Sequence, residues 1–276
     1  MPETISKAMA YWRSLTHQLS ASQGPTGASR VIEVVARGRL TGTATGKAIP
    51  VGVPMKALGG RELFVRPGTS DLRNASDYYR YNLYQPPPAI AGGDLYRICE
   101  LGSNMGAALT ALAVRYPNAS LLGVEADPQN ARLASHNVSR FGQRCAVVAA
   151  GIWDEDINLV VDRDTRYGEH GFSVRALHGE DPPGTPSIPA LTIDTLLARH
   201  MPEGEIDYMH VSIEGTEPRA FAHGGEWPAR VRSLRVEAHP ELGYPSQSCI
   251  ADLERLGYEA WADAALPEKW VLAVRP

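Results

Sequence analysis

The segment Tyr96-Arg-Ile-Cys-Glu-Leu-Gly-Ser-Asn-Met-Gly106 decides the fold. It begins as a short apolar strand that ends in Glu100, passes through a glycine turn, and runs into the apolar residues 107–114, which favour a helix. A strand, a glycine turn and a helix N-terminus form the first unit of an open parallel sheet that binds a nucleotide-like ligand. Gly102 permits a positive φ angle and a close approach of that ligand.

The spacing of these glycines argues against a dinucleotide. The segment contains G-x-x-x-G, whereas the dinucleotide fingerprint is G-x-G-x-x-G, whose second glycine admits the pyrophosphate. Asn104 is bulky, and Glu100 adds a negative charge at the mouth of the turn. This combination disfavours a polyphosphate and suits a ligand that carries an amine, such as S-adenosylmethionine.

A second apolar strand with an acidic end follows at residues 120–127. Glu125 lies 23 residues after Gly102, and an acidic residue about 20 positions beyond the glycine turn accepts hydrogen bonds from ribose hydroxyls. The alternative is that Glu125 only caps the next helix, where Asp127 followed by Pro128 is a typical helix start. Both halves of the signature occur at the required spacing, which favours the ribose role.

The composition is that of a globular protein. The chain has 276 residues, of which 43% are hydrophobic and 21% are charged, and its net charge is −4. This length allows one domain with a sizeable extension. We therefore expect an N-terminal helix and β extension over residues 1–90, which contacts the acceptor or another protomer, and an S-adenosylmethionine-binding domain over residues 91–276. The mildly acidic balance predicts no nucleic-acid partner.

The sequence also carries features that bear on location. It contains no run of 18 uncharged apolar residues, and its start, Met-Pro-Glu-Thr, lacks a basic n-region and an apolar h-region. The three cysteines, without a C-x-x-C pattern, are typical of reduced thiols. We therefore expect a cytoplasmic protein without a membrane span.

The N-terminal extension contains helical and strand patterns. An apolar stripe over residues 1–22 predicts an amphipathic helix, which either packs on the core or serves as the arm of a homodimer. Residues 20–29 are rich in Gly and Ser and predict a link, and 31–35 and 62–66 predict strands. A polar, tyrosine-rich helical stretch is predicted over residues 77–84, with residues 69–71 as its cap.

Further apolar segments complete the sheet. They are residues 145–150, 208–213, 231–239, 258–262 and 270–274. The last two predict an antiparallel hairpin, so the expected fold is α/β, with a mostly parallel seven-stranded sheet and an antiparallel C-terminal hairpin. A short strand is expected at 159–162, and residues 162–189 are predicted to be loop-like, because they are polar and rich in Pro and Gly. Residues 188–197 predict a short strand that runs into a helix capped near Thr192 to Asp194.

Several polar side chains follow the carboxyl ends of the predicted strands, where ligands bind in open α/β sheets. Glu214 and Glu237 supply oxygen ligands that suit Mg²⁺ if they converge, and capping is the alternative role. His239 titrates near neutrality and is a candidate general base or a surface histidine. Gly151 and Trp153 follow another strand and either meet a purine ring or belong to the core.

Together these segments resemble the FkbM family of S-adenosylmethionine-dependent O-methyltransferases, which have a Rossmann-like class I methyltransferase fold. The matching segments are residues 62–72, 100–106, 124–130, 191–197 and 206–217. Members of this family methylate hydroxyl groups, often of sugars or glycosylated natural products.

The resemblance implies roles for individual residues. Glu100 and Gly102 would hold the methionine end of the cofactor, Glu125 the ribose, and residues 151–153 the adenine. The predicted cofactor residues are Glu100, Gly102, Ser103, Asn104, Glu125, Ala126, Gly151, Ile152 and Trp153. The chain departs from the family pattern Lys-x-Asp-x-Glu-Gly, which reads His210-Val-Ser-Ile-Glu-Gly215 here. Ser212 replaces an acid, which puts any metal-binding role of that acid in doubt.

Methyl transfer to a hydroxyl requires alignment of donor and acceptor, which can supply roughly 7–11 kcal/mol, and removal of a proton. A general base contributes about 10²–10⁴-fold. His239 is the first candidate for this base, and Glu214 is the second catalytic candidate. Mg²⁺ held by Glu214 and Glu237 is an alternative way to lower the pKa of the hydroxyl.

The expected acceptor is a small molecule or an oligosaccharide with a free hydroxyl. Tyrosine rings and polar loop side chains suit sugar stacking and hydroxyl recognition. The predicted acceptor-binding residues are Tyr78, Tyr167 and His170.

Two other functions stay open at this point. The first is a catalytically silent module that binds S-adenosylmethionine, for which Ser212 is the best support. The second is an NAD-dependent oxidoreductase, which would need a pyrophosphate glycine pattern that Asn104 interrupts.

Overall fold

The computed structural model describes residues 3–41, 48–162, 173–177, 180–182, 184–222 and 224–276. The chain divides into two compact units, Met1–Leu83 and Tyr84–Pro276. Among the described residues, no helix is long and apolar enough to cross a membrane. The cytoplasmic location and the homodimer stay predictions.

The first unit combines three helices with a two-stranded sheet in its described part. Its elements are α1 (Glu3–Ala21), α2 (Gly24–Thr41), β1 (Val51–Pro54), β2 (Glu62–Val65) and α3 (Asp71–Tyr81). Strands β1 and β2 pair antiparallel, from Val51 opposite Val65 to Pro54 opposite Glu62. The predicted first helix, the strand at 62–66 and the tyrosine-rich helix correspond to α1, β2 and α3, and α3 begins at Asp71, within the predicted cap at residues 69–71.

Two predictions for this unit are wrong, because residues 20–29 are not a link and residues 31–35 are not a strand. Both segments are largely helical and lie in α1 and α2. Val31 and Val34, one helical turn apart, are buried, so packing on one helix face overrides the strand propensity of valine. Gly27 lies where α2 approaches β1 closely, because an added Cβ would be 3.0 Å from the carbonyl oxygen of Pro54.

The second unit alternates strands and helices. Its strands are β3 (Arg97–Leu101), β4 (Ser120–Glu125), β5 (Cys145–Ala149), β6 (Gly151–Ile152), β7 (Ile157–Asp162), β8 (Ser173–Ala176), β9 (Ser187–Leu191), β10 (Tyr208–Val211), β11 (Ser233–Glu237), β12 (Glu259–Ala262) and β13 (Trp270–Val274). Its helices are α4 (Pro88–Ala91), α5 (Ala107–Arg115), α6 (Pro128–Val138), α7 (Ile193–His200), α8 (Glu217–Ala222), α9 (Trp227–Arg230) and α10 (Ser246–Arg255).

The main sheet has the strand order β12-β13-β11-β10-β3-β4-β5. Strands β11, β10, β3, β4 and β5 are parallel, whereas β13 is antiparallel to both of its neighbours. This order, with one antiparallel strand from a C-terminal hairpin, is that of the Rossmann-like class I methyltransferase fold. The predicted fold class is therefore confirmed.

A second sheet, with the order β6-β9-β7-β8, follows β5. Strand β7 pairs antiparallel with both β8 and β9, and β6 pairs parallel with β9. The predicted strand at 159–162 is the C-terminal part of β7, and the predicted strand and helix over residues 188–197 correspond to β9 and α7, whose N-cap is Thr192. Along β9 the burial alternates, because one face packs Ile188 and Ala190 against Leu159. Strand β8 lies in the segment that was predicted to be loop-like, because its pairing with β7 is a tertiary contact that a polar local pattern does not show.

The central strands of the main sheet are buried on both faces. All four residues of β10 are buried, and so are the last four residues of β3. Parallel strands in this position are normally continuous apolar runs. Glu100 on β3 and His210 on β10 depart from that rule and are 1% and 0% exposed. Both residues lie near the carboxyl edge of the sheet, where ligands bind in open α/β sheets.

Candidate cofactor and catalytic site

The turn between β3 and α5 is held in place by backbone contacts. The N–H groups of Gly102 and Ser103 both donate to the carbonyl of Val124, each at 2.9 Å. Gly102 has a φ of +86°, and an added Cβ would lie 1.8 Å from the carbonyl oxygen of Ser212. The close approach of β10 to the turn therefore requires glycine here, in addition to any approach of a ligand.

Glu125 closes the turn from the end of β4. Its Oε2 accepts from the N–H of Asn104 at 2.7 Å, and its Oε1 accepts from the N–H of Asp127 at 2.8 Å. Burial raises the pKa of this carboxyl, while the two backbone hydrogen bonds act to lower it. A carboxylate oxygen has more than one lone pair, so both oxygens can still accept from ribose hydroxyls.

The helix that follows β4 has its own cap. The side chain of Asp127 accepts from the N–H groups of Gln129 and Asn130, and Pro128 occupies the first turn of α6. The capping role that was an alternative for Glu125 therefore belongs to Asp127.

Glu100 lies beneath the turn at the end of β3. Its Oε1 is 3.6 Å from Nδ1 of His210, and both side chains are almost completely buried. Among the described residues, its Oε2 has no hydrogen-bond partner although it is buried. Burial raises the pKa of this carboxyl well above its ordinary value. A cationic ligand that donates hydrogen bonds would supply what Oε2 lacks and would restore the charged form.

The adenine residues predicted after β5 lie in and just beyond β6. The N–H of Ala150 donates to the carbonyl of Glu125 at 3.0 Å, so this segment passes next to the residue that is expected to bind the ribose. Ala126 packs against the small core cluster that contains Trp153. Gly151 and Ile152 are buried, and Trp153 is 8% exposed. The structure thus brings Ala126 and Trp153 together beside the end of β4.

A second polar group lies beyond β10, where the chain turns into α8. The N–H of Ile213 donates to Oε1 of Glu217 at 2.9 Å. Between them, Glu214 and Gly215 have positive φ angles of +52° and +89°. A glutamate in the left-handed region is uncommon, and such strain is concentrated at functional sites.

His239 lies between two carboxylates. Its Nε2 is 3.3 Å from Oε1 of Glu217, and its Nδ1 is 3.3 Å from Oε1 of Glu241. Burial lowers the pKa of this imidazole, but Glu217, Glu237 and Glu214 outweigh burial and raise it to about 9. The predicted general base is therefore protonated at neutral pH in this structure, which disfavours that role.

Glu214 is exposed, as Glu241 is, whereas Glu217 and His239 are buried. Loss of water around the carboxyl of Glu214, followed by repulsion from Glu237, raises its pKa to about 7, while His239 acts in the opposite direction. A carboxyl that ionises near neutral pH and is accessible to a ligand has the properties of a general base.

The predicted magnesium site is not supported. Oε2 of Glu237 accepts a hydrogen bond from the hydroxyl of Ser212 at 2.7 Å, and a protonated His239 supplies positive charge to these carboxylates. Within the part of the chain that the structure describes, no group of three or more His, Cys, Asp or Glu side chains could hold a metal ion. The roles of Glu214 and Glu237 as metal ligands therefore stay a prediction that the described residues do not support.

The predicted acceptor residues are placed only in part. Tyr78 lies on α3 in the first unit and is half-buried. Tyr167 and His170 lie outside the described residues. The acceptor-binding role of all three stays a prediction.

Two residues of α8 were missed by sequence reasoning. Glu217 organises the turn after β10, and the guanidinium of Arg219 lies 4.5 Å from the ring centre of Trp153. The sequence contained one signal for Glu217, because this acid lies two residues after the Glu214-Gly215 pair and in the first turn of α8. The contact with Trp153 could not be found, because 65 residues separate the two positions in the sequence.

Comparisons with solved structures find similarity to methyltransferases at low identity and low TM-score. The METTL16 MTase domain is 13% identical, with 74% of this chain and 66% of that chain covered and a TM-score of 0.41. A putative O-methyltransferase from Klebsiella pneumoniae is 12% identical, with 92% and 91% covered and a TM-score of 0.41. Aeropyrum pernix fibrillarin with bound S-adenosyl-L-methionine is 14% identical, with 70% and 76% covered and a TM-score of 0.41.

The chain spans just under two thirds of the METTL16 domain. No protein-family model and no curated protein matches the sequence. The likeness therefore concerns the fold alone.

Proposed function

We propose that this chain is an S-adenosylmethionine-dependent O-methyltransferase that methylates a hydroxyl of a carbohydrate or glycosylated acceptor, as in the FkbM family that its sequence resembles. The observation that carries the proposal is the pair of buried acids, Glu100 and Glu125, on either side of the glycine turn in a sheet of class I methyltransferase order. This arrangement suits a ligand with one cationic amine and a ribose.

The residues present fit this cofactor. The unpartnered Oε2 of Glu100 would accept from its ammonium group, and Glu125 would accept from the ribose hydroxyls. Ser103 and Asn104 line the turn, and the segment from Ala150 to Ile152 would lie against the adenine. When bound, S-adenosylmethionine supplies an activated methyl group.

Proton removal from the acceptor hydroxyl is assigned to Glu214 in this proposal. Its raised pKa of about 7 leaves a large fraction of the carboxyl ionised at neutral pH and also makes it a stronger base than an ordinary glutamate. His239 then serves as a buried cation between Glu217 and Glu241, which stabilises the ionised carboxylates around the base. No metal is part of this proposal.

A catalytically silent S-adenosylmethionine-binding module is the second candidate. Ser212 favours it, because the serine stands where the FkbM pattern has an acid and its hydroxyl is engaged with Glu237. The two candidates share the cofactor site and differ only in turnover.

The test is incubation with S-adenosylmethionine that carries a tritiated methyl group, together with simple glycosides and oligosaccharide mixtures. We expect tritium in the acceptor as an alkali-stable methyl ether, and loss of this transfer in Glu214→Gln. Alkali-labile label would indicate a carboxyl acceptor and contradict the proposal. Binding of the cofactor product without any transfer would favour the silent module.

A further inference from the structure

A cavity of about 420 Å³ lies beside the second sheet. Its described lining comes from the segment after β6, from β7 and β8, and from α8. The lining residues are Trp153, Asp154, Glu155, Ile157, Arg175, Ala176 and Arg219. Among the described residues, the lining shares no member with the glycine turn or with the group around Glu214.

The wall of this cavity contains a stacked aromatic–guanidinium pair. The guanidinium of Arg219 lies 4.5 Å from the ring centre of Trp153. Nη1 of Arg219 is 3.3 Å from Oδ2 of Asp154, and the two side chains are 56% and 17% exposed. Since Trp153 is only 8% exposed, the accessible part of this pair is mainly the guanidinium of Arg219, with the carboxylate of Asp154 beside it.

The charges of the wall balance. The described lining residues carry two positive side chains, Arg175 and Arg219, and two negative ones, Asp154 and Glu155. Arg175 is in addition bound by both carboxylate oxygens of Asp181, at 2.9 and 2.6 Å. Because each arginine already faces a carboxylate, the cavity does not favour a phosphate. Its paired donors and acceptors suit a neutral ligand with several hydroxyl groups.

Helix α8 connects this cavity to the proposed base. Glu217 at its first residue contacts His239 and the backbone of Ile213, next to Glu214. Arg219, two residues further on, contacts Trp153 and Asp154. A group held in the cavity is therefore positioned by the same short helix that orders the turn carrying Glu214.

We propose that this cavity is the subsite for a neutral pyranoside ring of the acceptor, held by Trp153, Arg219 and Asp154. The inference rests on the proposed methyltransferase function and names the part of the chain that recognises the sugar. It assigns Trp153 to the acceptor and leaves the adenine to the preceding residues.

The test is fluorine NMR on the full chain labelled with 5-fluorotryptophan, in which Trp153→Phe assigns one of the five tryptophan resonances. The probes are the methyl β-pyranosides of glucose, galactose and mannose. Adenosine, inorganic phosphate and glycerol are the comparison ligands. We expect at least one pyranoside to shift the Trp153 resonance in the millimolar range.

The variant Arg219→Gln should weaken this pyranoside binding by about fivefold, the loss expected for one hydrogen-bonding group. Arg199→Gln is the matched control, because Arg199 is 59% exposed and is paired with Asp156 at 3.5 Å in a similar way. The control should bind pyranoside as the wild type does. The other tryptophan resonances report whether each variant is folded.

Three results would overturn the subsite. The first is the absence of a shift with any pyranoside, and the second is a larger shift with phosphate than with the pyranosides. The third is a shift with adenosine that S-adenosylhomocysteine abolishes, because this result would make the cavity the adenine site. S-adenosylhomocysteine is titrated calorimetrically into the same samples and should bind wild type and Arg219→Gln equally. Its failure to bind, with a pyranoside shift retained, would contradict the proposed function and leave the sugar subsite standing.

Discussion

Gly102 shows how one residue serves both the fold and the site. It ends β3 with a φ of +86°, and a Cβ at this position would lie 1.8 Å from the carbonyl oxygen of Ser212. The left-handed conformation costs a non-glycine residue roughly 1–2 kcal/mol, and overpacking costs typically about 1–3 kcal/mol more. Glycine is therefore required by the turn before any ligand is considered.

We expect Gly102→Ala to lower the free energy of unfolding by about 3 kcal/mol or more. Gly257→Ala is the matched control, since its φ is +93° and an added Cβ would have nothing within 4 Å. That control should lose only the left-handed cost of about 1–2 kcal/mol. Chemical denaturation measures both variants, and equal losses would show that β10 does not approach the turn as described.

Glu214 leads to a prediction about pH. Its pKa of about 7 means that the base is protonated, and hence inactive, at lower pH. The kcat of methyl transfer should therefore rise about tenfold per pH unit up to pH 7 and level off above it. Glu214→Gln should reduce kcat by about 10²–10⁴-fold, whereas Glu259→Gln, an exposed glutamate on β12, should have no effect.

If His239 is the base, a different pH dependence is expected. A rate that rises only near pH 9, with this rise lost in His239→Gln, would assign the base to His239 instead.

Short elements carry the contacts that sequence reasoning did not find. Helix α8 has six residues, and its first residue, Glu217, ties His239 to the end of β10. Strands β10 and β11 were both predicted, but the distance between the carboxyl ends of these two strands depends on how α8 packs. A local pattern contains no information about that packing.

Because local patterns contain no information about packing, some elements were predicted correctly and others were not. Strands β3 and β4 were predicted because buried parallel strands are continuous apolar runs with recognisable turns after them. Val31 and Val34 were assigned to a strand because of the strand propensity of valine. The helix α2 is favoured instead by the burial of one of its faces, which is a tertiary effect that a local pattern does not show. Glu100 and Glu125 were found because they end such strands, while the partner of Trp153 lay far away in the sequence.

The role of α8 is tested with Glu217→Gln. The glutamine carbonyl can still accept from the N–H of Ile213, so the turn is kept while the charge beside His239 is lost. Because Glu217 raises the pKa of His239, that pKa should fall from about 9 toward its ordinary value. Histidine NMR measures the change, with the exposed Glu226→Gln as control. An unchanged His239 pKa would mean that Glu217 does not hold the imidazole.

At the scale of the whole molecule, all of the predicted cofactor residues lie in the second unit. Tyr84–Pro276 carries the seven-stranded sheet, the glycine turn and both polar groups at its carboxyl edge. The mostly parallel sheet with its C-terminal hairpin was predictable from the alternation of strand and helix patterns along the chain. The second sheet was predicted only through β7 and β9, because β6 is two residues long and β8 four.

In the proposed function, the carboxyl edge of this sheet binds S-adenosylmethionine through Glu100, the glycine turn and Glu125. Calorimetric titration of the full chain with S-adenosylhomocysteine, with NAD⁺ as the comparison ligand, tests this binding. We expect micromolar binding of S-adenosylhomocysteine and no binding of NAD⁺. Glu125→Gln should weaken binding about tenfold, because its amide would set a donor against the N–H of Asn104 or Asp127. Glu259→Gln should bind as the wild type does. Binding of NAD⁺ instead, or equal binding by Glu125→Gln, would contradict this proposal.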